Sequence, residues 1–127
     1  MIRAALLHMG IGFTFGALIL WHKGLDGLSW AWGLLAPHVT LVVFGWTMQL
    51  VMGIAFWILP RHSQEPRYGA QVLGWWSWGF LNVGVVLFCV AILARHTELA
   101  VLGYLGVMLA LGLFVRLVWS RVKPFGV

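Results

Sequence analysis

Apolar positions along this chain gather into four long stretches, about residues 3–22, 33–59, 69–94 and 99–119. Each is close to or above the roughly 20 residues that cross a hydrocarbon core. The breaks between them are short and carry turn residues: "HKGLDGLSWAW", then "PRHSQEPRYG" with two prolines, then "ARHTE". This pattern predicts an all-α integral membrane protein, a four-transmembrane-helix up-and-down bundle forming a single domain over residues 1–127. The first stretch is N-terminal with Arg3 ahead of it, as a secretory signal would be. Its apolar run is longer than an ordinary signal core and no A-x-A pattern follows before the next span, so it reads as a transmembrane helix.

Composition agrees. Of the 127 residues, 62% are hydrophobic and 9% charged, against about 25% charged in an average soluble domain. The net charge of +5 would suggest nucleic acid in a soluble protein. Here its distribution matters more, and no nucleic-acid partner is expected. Arg3, Arg61, Arg67, Arg121 and Lys123 lie at the termini and in the second break, against Lys23 and Arg95 in the first and third. The positive-inside rule then predicts both termini on the cytoplasmic side, N-in/C-in. Trp21, Trp30 and Trp32 would belt the outer interface, with Trp57 and Trp119 at the inner one. Arg116 is expected to snorkel toward anionic lipid together with Arg121 and Lys123. Gly12 and Gly16, Gly45 and Gly53, and Gly106 and Ala110 have spacings that let helix backbones approach closely in lipid. Cys89 lies inside the third stretch, where it reads as a small buried hydrophobe.

Candidate chemistry rests on histidine. His22 and His62 flank helix ends beside Lys23 and Arg61, and His8 lies one to two turns inside the first stretch. His38 stands a few residues inside "APHVTLVVFGWTMQLVMGIAFWILPR", which holds no charge between His38 and Arg61. An ionisable group so placed is costly enough to mark a functional site. On a regular helix Gly45, Gln49, Met52 and Phe56 fall within roughly 40° of His38. Gly45 would lie about 10 Å farther along, where a missing side chain would let a flat macrocycle approach. Imidazole is an axial ligand of haem iron, and a glycine with a polarisable methionine below it suits a haem pocket or an aliphatic-lined tunnel.

The segment "PHVTLVVFGWTMQLVMGIAFWILPR" resembles helix II of subunit I in the haem-copper oxidase and nitric oxide reductase superfamily. There a histidine, a short apolar run, an "FG" and a closing "PR" recur. More closely, the chain looks like the short four-helix relatives of that subunit that bacteria encode as stand-alone proteins. The resemblance is strong over about 30 residues and weak elsewhere. It implies a haem b with His38 as an axial ligand near the outer face, and a bacterial inner (cytoplasmic) membrane. The family's copper ligands come from helices that have no counterpart in these residues, so reduction of oxygen or nitric oxide by the family mechanism is not expected.

The second axial ligand stays open between His96, Met108 and His38 of a partner chain, with His96 favoured; five-coordinate iron is a further possibility. His8 would sit roughly 13 Å from His38 along the membrane normal, which argues against a shared iron. Cofactor contacts are expected from Gly45, Gln49, Met52 and, toward the haem propionates, Arg95. Asn82 is expected to hydrogen-bond between helices. The resulting expectation is a membrane b-type haemoprotein, a homodimer by the commonest symmetry, in electron transfer or small-gas binding, with a quinone or a respiratory complex as partner. No Ser-His-Asp set, Cys-x-x-Cys pair or phosphate loop appears, so catalysis is not expected. The alternatives are a small transporter or channel, or a structural or assembly partner of a respiratory complex. A proton-coupled transporter needs an intramembrane carboxylate, and Asp26, Glu65 and Glu98 lie in breaks or at ends.

Overall fold

The computed structural model describes residues 1–25, 27–62 and 65–122; Asp26 and Lys123, named above, lie outside the described residues. The described residues form helices and connections, without strands. Four helices are long and apolar enough to cross a membrane: α1 (Ile2–Leu25), α2 (Ser29–Ile58), α3 (Gln71–Leu93) and α4 (Thr97–Trp119). They match the four apolar stretches to within a few residues at each end, because only a helix satisfies its own backbone polar groups in lipid. The expected aromatic belt residues Trp21, Trp30, Trp32, Trp57 and Trp119 are all exposed on the bundle surface.

Neighbouring helices pack antiparallel. A side chain added at Gly16 would strike His38, at Gly12 would strike Val42, and at Gly53 would strike Ile2, so α1 and α2 run in opposite directions. Pro37 meets Cys89 while Gln49 lies by Asn82, which sets α2 against α3 in the same way. The α1–α2 and α3–α4 connections therefore share one end, termed the upper end, and the two ends of the described chain share the lower. α1 packs on α2, α2 on α3, and α3 most extensively on α4.

Small residues explain that last contact. Ser77 and Gly84 on α3, and Gly103 and Ala110 on α4, recur at seven-residue intervals and are all buried. A Cβ on Gly84 would lie 2.6 Å from the Gly103 carbonyl oxygen, and one on Gly103 would lie 2.7 Å from the Phe88 nitrogen. The two backbones thus touch, and the Ser77 hydroxyl donates across the seam to the Ala110 carbonyl at 2.8 Å. Lipid tails are as apolar as leucine, so such close packing and hydrogen bonding, and not hydrophobic burial, must hold the hairpin together. Leu81, Val85, Phe88, Val107 and Phe114 fill the spaces around it.

The turn between α3 and α4 is a helix-stop motif. The His96 N–H donates to the Ala91 carbonyl and the Arg95 N–H to the Ile92 carbonyl, with Arg95 at φ +61°. That left-handed position is one where glycine is the usual residue.

α2 is not uniform. It opens as a 3-10 turn (Ser29–Leu34), becomes α-helical over Leu35–Thr40, widens to a π-helix over Leu41–Met48 and returns to α-helix over Gln49–Ile58. In the π stretch the Thr47 hydroxyl donates to the Val42 carbonyl five residues back, at 2.9 Å. Pi turns are rare, occur often at functional sites, and shift the residues beyond them around the helix axis.

At the lower end Arg121 is buried, which corrects the expectation that it snorkels to lipid. Its Nε donates to the Pro60 carbonyl at 3.0 Å and its Nη2 to the Phe56 and Leu59 carbonyls, each at 2.8 Å. Its guanidinium also lies over the Phe56 and Tyr68 rings. The last carbonyls of a helix lack intrahelical partners and carry the negative end of its dipole, so a cation there both bonds and neutralises. Arg116, by contrast, is exposed on α4.

The α3–α4 seam predicts a contrast between two glycines of α3 five residues apart. Gly84→Leu is expected to lower the thermal midpoint in detergent, at a cost of about 1–3 kcal/mol from overpacking. Gly79→Leu, at a position where an added Cβ meets nothing within 4 Å, should change it by less than about 0.5 kcal/mol.

Candidate functional site

His38 and His8 both lie between α1 and α2, each ring set against a glycine of the facing helix. A Cβ on Gly16 would lie 2.8 Å from His38 Cε1, and one on Gly45 would lie 2.8 Å from His8 Cγ. Each imidazole thus occupies the space that the missing side chain leaves. Gly16 and Gly45 are glycines for this close approach.

The two rings differ in what their nitrogens do. His38 Nδ1 lies 2.7 Å from the Gly12 carbonyl oxygen. A carbonyl can only accept, so Nδ1 carries the proton, and in the neutral ring the lone pair lies on Nε2. Among the described residues Nε2 has no hydrogen-bond partner and is not sealed inside the protein. An Nδ1–H held by a backbone carbonyl, with Nε2 left open, is the arrangement in which metal-ligating histidines are usually fixed.

His8 is engaged differently, through Gln49, which is fully buried. The Gln49 amide is oriented by its neighbours. Its nitrogen donates to the Gly45 carbonyl at 2.8 Å and to His8 Nδ1 at 3.2 Å, and its oxygen accepts from Asn82 Nδ2 at 2.8 Å and Trp78 Nε1 at 3.2 Å. The reverse orientation would set oxygen against the carbonyl and nitrogen against two N–H donors. All four hydrogen-bonding positions of the amide are then used, and His8 Nδ1 meets both the Gln49 amide and the Gly45 carbonyl oxygen, each at 3.2 Å. Asn82 Nδ2 also reaches the Trp78 carbonyl at 2.7 Å. Asn82 therefore bonds between helices, as expected of it, in a polar cluster that ties α1, α2 and α3 together within the apolar interior.

The expected haem face of α2 is consequently filled by protein. Gly45 carries the His8 ring, Gln49 is locked in the polar cluster, and Met52 is buried in the core. His38 shares with Gly45 the side turned to α1, but no open face runs from His38 down to Met52. His8 and His38 meet opposite helices at levels seven residues apart on α2, or about 10 Å, in line with the expectation that they do not share an iron. His96 is exposed at the α3–α4 turn, whereas the His38 ring is on the α1 side of α2. Met108 is 65% exposed on α4. Arg95 is exposed in its left-handed turn. Among the described residues no group of three or more His, Cys, Asp or Glu side chains comes together.

Two contributors were not legible as functional in the sequence. The Gly12 carbonyl, which sets the His38 tautomer, is a backbone atom with no residue signature. Trp78 sat in the "WWSW" run with Trp75 and Trp76, and only the fold shows its N–H turned inward while they are exposed.

Thr40 and Tyr104 complete the polar contacts beside the site, with hydroxyl oxygens 3.3 Å apart that join α2 to α4. The Tyr104 ring packs on Phe88 at 4.2 Å between centroids.

Gln49→Leu is expected to cost about 1–3 kcal/mol, because it strands several buried donors and acceptors at once. Asn82→Leu made on that background should cost less than it does alone, since its main partner is gone. Thermal unfolding of the four proteins in one detergent checks both; strictly additive losses would show that the cluster is not coupled. No family model, curated protein or solved structure matches this chain.

Proposed function

We propose that this chain is a multi-pass protein of a bacterial inner membrane, N-in/C-in, that binds haem b through His38. Its role on this reading is electron transfer or small-gas binding without a copper centre. The observation that carries the reading is the Nδ1–H of His38 on the Gly12 carbonyl with Nε2 left open. It sits beside the resemblance of the surrounding segment to the haem-binding helix of the oxidase superfamily.

The residues fit one axial position of a haem. Nε2 of His38 would hold the iron, the Gly12 carbonyl fixes the ring's orientation and raises its basicity, and Gly16 leaves room for the ring beside α1. When bound, the haem supplies an iron centre for one-electron exchange or for a diatomic ligand. Arg95 is the cation for the propionates. Its left-handed φ carries a strain cost that glycine would remove, which is consistent with a residue retained for its charge. Gly45, Gln49 and Met52 hold the helices that position His38 and do not contact the cofactor on this reading.

A second reading is favoured by the two glycine notches themselves. Histidines that fill gaps between α1 and α2 also suit a purely structural partner of a respiratory complex.

One experiment separates the two. The protein is expressed with haem supply, purified in detergent, and its oxidised and dithionite-reduced spectra are recorded with a pyridine haemochrome assay. A Soret band is expected, lost in His38→Ala and retained in His8→Ala. A folded wild-type protein without a Soret band would leave the structural reading. Arg95→Gly should raise the thermal midpoint of the apoprotein, by about 0.5–1 kcal/mol from the relieved turn, and weaken haem retention.

A further inference from the structure

The open nitrogen of His38 raises the question of what lies on the other side of the iron. We infer that His38 of a second copy of this chain fills the remaining axial position, so that one haem is held between two copies by a pair of imidazoles. This rests on the haem reading above.

The candidates within one chain are excluded by where the fold puts them. His8 Nδ1 is engaged by Gln49 and Gly45, and the His8 ring lies about seven residues of helix below the His38 level. His96 and Met108 belong to the α3–α4 hairpin, which packs on α2 and has no extensive contact with α1. His38 is turned the other way, toward Gly12 and Gly16 of α1. Met108 is exposed on α4, so it faces away from the bundle. Among the described residues, α1 and α2 offer no other ligating side chain at the level of Gly12 and Gly16.

A two-fold axis resolves this with the residues at hand. In an isologous contact, a residue close to the axis faces its own copy. One unsatisfied imidazole per chain then becomes two opposed ligands. A polar nitrogen without a hydrogen-bond partner is unfavourable within an apolar bundle, and pairing across the iron removes that cost for both copies. Leu35, Val39 and Val43, on the same stretch of α2, are exposed and apolar, as a surface meeting a macrocycle and a second copy should be.

The test uses the intact protein loaded with haem in nanodiscs. Haem per chain is measured against protein, the ferric form is examined by electron paramagnetic resonance, and particle mass is read by light scattering. The expected result is about one haem per two chains, a dimer, and a low-spin bis-imidazole signal. Differently tagged wild-type and His38→Ala chains are then co-expressed and mixed dimers isolated through both tags. These should lose the low-spin signal, while His96→Ala and Met108→Leu keep it. A haem in every chain, a low-spin haem in a monomer, a low-spin signal surviving in the mixed dimer, or its loss in either single variant would overturn the shared site and leave the haem reading standing. A wild-type protein that takes up no haem would overturn both.

Discussion

Backbone contact at glycine is the constraint on which this bundle depends. Inside a membrane the usual driving force is absent, because moving leucine from lipid to protein changes little. What remains is close packing, and close packing of helices needs positions without side chains. α3 and α4 use Gly84 and Gly103 to bring carbonyl oxygen and amide nitrogen to the surface of the facing backbone. α1 and α2 use Gly16 and Gly45 differently, each admitting an imidazole into the gap. The first arrangement yields a rigid hairpin. The second places two polar rings at defined depths in an apolar interior.

The two rings share a setting and differ in their chemistry because of one partner each. Gln49 spends all of its hydrogen-bonding capacity on Gly45, His8, Asn82 and Trp78, and so holds His8 Nδ1 inside a closed network that includes the Gly45 carbonyl. His38 meets only a carbonyl, which fixes it as a donor through Nδ1 and leaves Nε2 outside the network. His38 is half-buried and bonded to one backbone carbonyl, whereas His8 is buried within the polar cluster, and the reading of His38 as the ligand rests on that difference together with its sequence context.

The π stretch of α2 lies between these two centres, from Leu41 to Met48. It carries Gly45, against which His8 packs, and precedes Gln49, whose amide joins three helices. A wide turn there lets one helix serve α1 with His38 and Gly45 and α3 with Gln49. Arg121 closes the same helix at the lower end by taking the Phe56 carbonyl and the Leu59 and Pro60 carbonyls just past its last turn. α2 is therefore held at its upper part by α1, at its middle by the polar cluster and at its end by the residue following α4.

The amino-acid sequence by itself determined the number of helices, their approximate limits, and the rarity of a histidine at position 38. Those follow from hydrophobic length and from the cost of an ionisable group in lipid, both of which are local. It also marked Gly12, Gly16, Gly45 and Gly53 as close-approach positions and Asn82 as an interhelical bond. It marked Ala110 but not the seam that Ala110 forms with Ser77, Gly84 and Gly103, nor that Gly45 receives a histidine, nor that Arg121 turns inward. A regular helix placed Gly45, Gln49 and Met52 on one open face with His38; the neighbouring helices fill that face. Only the tertiary structure decided which backbone carbonyl and which amide each histidine meets. Tautomer and exposure are properties of contacts between residues 26 and 41 positions apart, and a linear pattern of polar and apolar positions carries no information about which carbonyl or amide a ring will meet.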